Sequence, residues 1–498
     1  MSFPSFAARF VLLFALASLP VLLTANLPLL DYPNHLARMY LLDTLPSSLS
    51  LQRYYAIDWQ PLPNLAMDLI VPPLSRLMPL ELAGKLFVLT TLLLLAAGPA
   101  LLHRALFGSW SNVPLLAFLL LYGRILLFGF VNYLFGLGLA FVLFAAWIVL
   151  RSRPLVVRFP LSTCFALVLY FAHLEALGVY ALLVGSYEIA AAWHSHEAVH
   201  KRLVRLVTEG LPFLVPLMTL LLSTYGLSTA VDFTPLGRKF DLLFGVFDAG
   251  DRVFDIVCFV VAMCALGAAL WRRWLSLAPA MKLPLIALCV CYLAMPTHIL
   301  SAFGADHRLP LAIALALAAS LRWTGTRQQE ARFMLGAGVL FVVRLGVIIA
   351  SWHASDRIYA RMLPVLYKIP SGSRVALAYP RAELDATVEP LVHLPTLAIV
   401  RRHGFVPTLF GSPNQQPIRI ILAFQRLADN LTPTAIWGHF VDGRDDHFDA
   451  AELACYDEVA FIAHRDFRLA DNRPLQLLAE VPDLKLYQVP EGPRQGCP

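Results

Sequence analysis

Runs of apolar residues at 8–29, 82–102, 113–128, 131–150, 159–173, 175–193, 208–226, 254–271, 283–301, 309–323 and 333–351 alternate with short polar stretches. A bilayer-crossing helix needs about 20 apolar residues, fewer where neighbours cover its ends, so this pattern predicts about eleven spans. Two joints need a reason. Residues 113–150 are nearly continuous, but Arg124, Gly129 and Asn132 predict a tight turn near the membrane surface. The run 159–193 is too long for one span, and His173-Leu174-Glu175 marks the reversal. The first run is too long for a cleaved signal core and has no small-x-small site after it, so an uncleaved first helix is expected.

Beyond Ser351 the pattern changes. Arg374–Tyr379 and Glu458–Ala463 read as short buried strands, and Asp483–Val489 alternates as a half-buried strand does. A helical stretch at 389–404 and a Pro/Gly/Asn-rich loop at 405–417 lie between them. The predicted fold is a polytopic α-helical membrane protein of about eleven transmembrane helices with a C-terminal extracytoplasmic α/β domain. The boundaries are 1–351, including a first outer loop at 30–81, and 352–498.

Composition agrees. The 498 residues are 58% hydrophobic and 14% charged, whereas soluble domains carry about 25% charged residues. The net charge of +6 reads as topology rather than as a nucleic-acid footprint. With the amino terminus inside, the basic clusters all fall on the cytoplasmic side. These are Arg9; Arg104; Arg151, Arg153 and Arg158; Lys201, Arg202 and Arg205; Arg272, Arg273 and Lys282; and Arg322, Arg327 and Arg332. Cys164, Cys258, Cys264, Cys289 and Cys291 lie in apolar runs as small core residues, while Cys455 and Cys497 sit in the polar tail and could pair in an oxidising compartment.

The outer turns hold the candidate chemistry. Asp31-Tyr32-Pro33-Asn34-His35-Leu36-Ala37-Arg38 follows the first span directly. Asp31 is either the N-cap of the next helix, an ion-pair partner of Arg38, or a base able to take a proton from a hydroxyl. His35 and Arg38 are three residues apart and share a helix face near it. Asp306-His307-Arg308 forms a polar turn between two spans, and Arg308 suits a phosphate through its bidentate fork. Arg124 and Arg252 are weaker phosphate candidates. His173 and Glu175 are either a structural pair or a substrate contact. His298 reads as a satisfied core histidine. Loop 227–253 mixes charge with phenylalanines, as a segment lying in the interface does.

An acid just after the first span, opening a large outer loop, resembles the GT-C type of integral membrane glycosyltransferase. That type includes the protein O-mannosyltransferases and the aminoarabinose transferases of lipid A. The resemblance implies transfer of a sugar from a polyprenyl-phosphate donor to a lipid, glycan or protein acceptor on the outer face, with Asp31 as base. The candidate substrate contacts are His35, Arg38, Arg124, His173, Glu175, Asp306, His307 and Arg308. Many relatives carry two neighbouring acids here, but Tyr32 follows Asp31. No cofactor is therefore certain and a divalent metal is left open, with Asp58 or Asp306 as a second carboxylate. The expected location is a bacterial inner membrane, amino terminus cytoplasmic and C-terminal domain periplasmic. The rival readings are a multi-pass transporter or flippase and a non-catalytic scaffold. One-sided charges and the absence of repeats count against transport.

Overall fold

The computed structural model describes residues 2–223, 225, 231–299, 302–380, 391–412, 414–444, 447–464, 466–470, 475–490 and 497–498. Parts of several predicted segments lie outside the described residues: 224 and 226 of the span 208–226, 227–230 of the loop 227–253, 300–301 of the span 283–301, 389–390 of the helical stretch 389–404, and 413 of the loop 405–417.

Among the described residues, eight helices are long and apolar enough to cross a membrane. They are Phe3–Leu23, Leu80–Phe107, Val131–Leu150, Leu155–Ala172, Leu174–Trp193, Val199–Leu222, Arg252–Trp271 and Arg327–Leu366. Three predicted spans are shorter or irregular. Residues 113–128 form the 3-10 helix Val113–Leu120 and one helical turn, Arg124–Leu127. The stretch at 283–301 gives Lys282–Ala294 followed by the strand His298–Ile299, and 309–323 gives Ala305–Ser320 followed by the strand Leu321–Trp323.

Helix Leu80–Phe107 packs against Val131–Leu150 through facing glycines. A Cβ on Gly98 would come within 2.7 Å of Phe141, and one on Gly138 within 2.7 Å of the Leu94 backbone. Small residues let two backbones approach where lipid offers no hydrophobic drive to hold them. The reversal at 173 is one residue long. His173 is extended, and its Nδ1 accepts the Glu175 N–H at 3.2 Å, capping the helix that follows.

The last span does not stop at residue 351. Helix Arg327–Leu366 runs 40 residues, because Trp352, Tyr359, Met362 and Leu366 continue one buried stripe at helical spacing after the lipid-facing residues end. A four-stranded sheet follows. Val375–Ala378 pairs in parallel with Glu458–Ile462, and Leu484–Gln488 joins antiparallel on its far side with Gln476–Val481 at the edge. The strand Ile418–Ile420 pairs not with this sheet but with Tyr55–Ile57 of the first loop.

Cys455 and Cys497 form a disulfide, with Cα atoms 5.4 Å apart and a sequence separation of 42. Closing a loop of that length restricts the unfolded chain, so Cys455→Ser with Cys497→Ser is expected to destabilise the C-terminal region by about 2–4 kcal/mol. Limited proteolysis across a thermal ramp would report this as a lower cleavage midpoint, and an unchanged midpoint would refute it.

Candidate active site

The first loop, the turn before helix Val131–Leu150, and the starts of three other helices meet at one end of the bundle. They enclose a cavity of about 760 Å³. Asp31, His35, Arg38, Arg124, His173, His307 and Arg308 all line it.

Asp31 sits at the N-cap position of helix Tyr32–Thr44, but its side chain makes no capping bond. Its backbone is pinned instead. Leu30 N donates to Leu127 O at 2.8 Å, and Asp31 N donates to Phe128 O at 3.1 Å. That pairing depends on Gly129, whose φ is +82° and where a Cβ would lie 2.8 Å from Asp31 N. A side chain there meets both left-handed strain and a backbone clash. Gly129→Ala is expected to cost about 1–3 kcal/mol, the range of a backbone forced into a sparsely populated region. A thermal melt in detergent checks this.

The Asp31 carboxylate is 14% exposed and lies 3.6 Å from His393 Nε2. Burial pushes its carboxyl up to about 7, against the pull of Arg308 and Arg38. Burial holds the His35 ring well below its usual range, with Arg38 acting in the same direction and a hydrogen bond from the ring to the Gly129 backbone opposing. An acid poised near neutrality beside neutral imidazoles can exchange a proton with a bound hydroxyl.

The cations are held by acids. Arg38 makes a two-pronged pair with Asp68, at 2.7 and 2.8 Å, and its third nitrogen donates to Gln416. Arg124 pairs with Asp248 at 2.6 Å and with Asp241 at 3.8 Å. Arg308 Nη1 donates to Glu175 at 2.7 Å while its guanidinium lies 4.4 Å over the Phe130 ring. Its Nε has no hydrogen-bond partner among the described residues. Arg238 and Arg252 also line the cavity.

Two sequence readings are corrected. Asp306-His307-Arg308 is not a turn but the first turn of helix Ala305–Ser320, because Gly304 at φ +71° makes the turn just before it. This sends consecutive side chains to different sides. His307 and Arg308 face the cavity, whereas Asp306 is fully buried, does not line it, and lies 3.5 Å from the Lys239 ammonium. His298 is not a core residue. It lies in a two-residue strand with its side chain 45% exposed, 3.5 Å from Asp232.

Sequence reasoning missed Asp68, His393, Gln416 and Asn34. Asp68 was visible as an acid in the first loop, but nothing local assigned it to Arg38. His393 stands in an apolar run, Leu391-Val392-His393-Leu394, a signal without a partner in sequence. For a divalent metal the donor set does not fit: among the described residues no three His, Cys, Asp or Glu side chains converge. Asp58, the other proposed second acid, lines a separate pocket.

No protein-family model and no curated protein matches the chain. Two solved structures are similar across 99% of it. One is the arabinofuranosyltransferase AftD from Mycobacteria, at 14% identity and a TM-score of 0.51; this chain spans 40% of its length. The other is ArnT from Cupriavidus metallidurans, at 11% identity, a TM-score of 0.52 and 99% coverage of both chains. The chain shares the fold of these two structures. In this fold the cavity sits where the first loop, the helix starts and the C-terminal loop at Phe410 and Gln415–Pro417 meet.

Proposed function

We propose that the chain transfers a sugar from a polyprenyl-phosphate donor to an acceptor hydroxyl at the outer face of a bacterial inner membrane. The observation that carries this reading is the convergence of Asp31, poised near pH 7, with Arg308 and Arg238 in one cavity of about 760 Å³. The sugar–phosphate donor lies with its phosphate against Arg308. Asp31 takes the proton of the acceptor hydroxyl as its oxygen bonds to the anomeric carbon. The bond from that carbon to the phosphate oxygen breaks on the opposite face, and its electron pair leaves on the phosphate. The configuration inverts. A positive field near the departing phosphate stabilises the charge that develops there.

The orientation proposed has the amino terminus cytoplasmic. Arg104, Arg151 and Arg272 lie at helix ends remote from the cavity, as the positive-inside rule requires. The C-terminal region, with its Cys455–Cys497 bridge, then faces an oxidising compartment. The acceptor is a lipid, glycan or protein. Purified chain in vesicles, offered polyprenyl-phosphate pentose and hexose, is expected to release polyprenyl phosphate. Release no greater than in the Asp31→Asn variant, together with passage of labelled donor across the bilayer, would replace this reading with transport.

A further inference from the structure

Asn34, on helix Tyr32–Thr44, is fully buried, and its amide is engaged on every side. Oδ1 accepts the Phe410 N–H at 2.7 Å, and Nδ2 donates to the Thr408 carbonyl at 2.7 Å. Nδ2 also lies 3.3 Å from His393 Nδ1. Turning the amide over would set oxygen against the Thr408 oxygen and N–H against the Phe410 N–H. Its orientation is therefore determined by its neighbours.

The histidine tautomer follows from this. His393 Nδ1 faces a donor, so it is the bare nitrogen, and the ring proton is on Nε2. That nitrogen lies 3.6 Å from Asp31 Oδ1. A second proton at Nδ1 would confront the Asn34 N–H, and burial likewise holds the ring down at about 4. The ring is also held edge-on by Phe410, 5.3 Å between centroids.

We propose that His393 is a positioning residue for Asp31, directing its Nε2–H at Oδ1 and leaving Oδ2 for the acceptor hydroxyl. The inference rests on reading Asp31 as the base. The 3.6 Å separation exceeds a hydrogen bond by a few tenths of an ångström, a gap that catalytic pairs close when substrate binds. Donation to the ionised carboxylate favours that form, opposing the burial that disfavours it. The other groups acting on Asp31 are Arg38 from its own helix and Arg308 from helix Ala305–Ser320, both of which also favour ionisation. His35 stays neutral beside them. Asn34 is thus the joint through which the C-terminal segments at His393 and Thr408–Phe410 hold the first loop.

Infrared titration of the buried carboxyl band tests this in the full-length chain in detergent, with the Asp31→Asn spectrum subtracted. His393→Phe keeps the ring and the Phe410 contact but removes the N–H. It is expected to raise the Asp31 midpoint by about half a unit or more, and to lower the rate of sugar transfer about tenfold with donor KM held. His393→Gln, which can donate from a similar reach, is expected to restore both. A wild-type midpoint in His393→Phe, or equal defects in the Phe and Gln variants, overturns the proposal. His393→Leu replaces the Phe variant if that one does not fold. Wild-type transfer by Asp31→Asn would instead remove the base reading, an outcome distinct from any infrared result.

Discussion

Asp31→Asn is expected to lower sugar transfer by about 10²–10⁴-fold, the range a positioned general base contributes. The substitution keeps the side-chain shape and the Leu127–Phe128 backbone pairing, so substrate affinity should hold. On the proposed reading of Asp31 as base, the reactive form is the carboxylate. Its folded value of about 7 means that kcat/KM falls roughly tenfold per unit below that pH and levels above it. Stability moves the other way. The folded value lies above the ordinary 3.8, so the folded chain holds this proton where the unfolded chain has released it. The stability Asp31 contributes is present below about pH 4 and is lost as pH rises toward 7. Asp31→Asn should therefore melt above wild type at pH 8, with the gap closing toward pH 4. A variant that is both active and no more stable than wild type at pH 8 would remove Asp31 from its assigned role.

Asp68→Ala is expected to be the most destabilising single change at the site. Asp68 is fully buried and Arg38 nearly so, and the pair is two-pronged. Removing the acid leaves a guanidinium uncompensated, which costs about 3–5 kcal/mol in protein interiors. Both residues line the cavity, where water can reach the cation, so the lower figure is the expected one. Asp68→Asn keeps volume and one acceptor and should lose less. Arg38→Lys keeps the charge but loses the fork, and should fall between the two. Denaturant melts in micelles order the three variants. If Asp68→Ala matches wild type, Arg38 is solvated rather than paired.

The octet Asp31–Arg38, the turns at 124–132 and 173–175 and the presence of charge at 306–308 were legible because charge at the end of an apolar run is costly and short-ranged in its signature. The strands at 375–378, 458–462 and 484–488 were legible because buried and alternating runs differ within a few residues. What sequence could not carry was pairing. Arg308 meets Glu175 across 133 positions, and Asn34 meets Phe410 across 376. Nothing local distinguishes Asp68 from any other loop acid, or His393 from any other histidine in an apolar run. Asp306 was misassigned for a related reason: the backbone was expected to turn there, and it winds instead, which rotates that side chain out of the cavity.

The span from Asn34 to Phe410 also sets a clock. Ribosomes add about 5–20 residues per second, so 376 residues separate the two by roughly 20–75 s of synthesis. Through that interval Tyr55–Ile57 lacks its strand partner and Asn34 lacks its donor and its acceptors. The Asn34 contacts with His393 and Thr408–Phe410 form only when the last quarter of the chain has emerged. Any factor that shields an open strand edge at the membrane surface has this window in which to act.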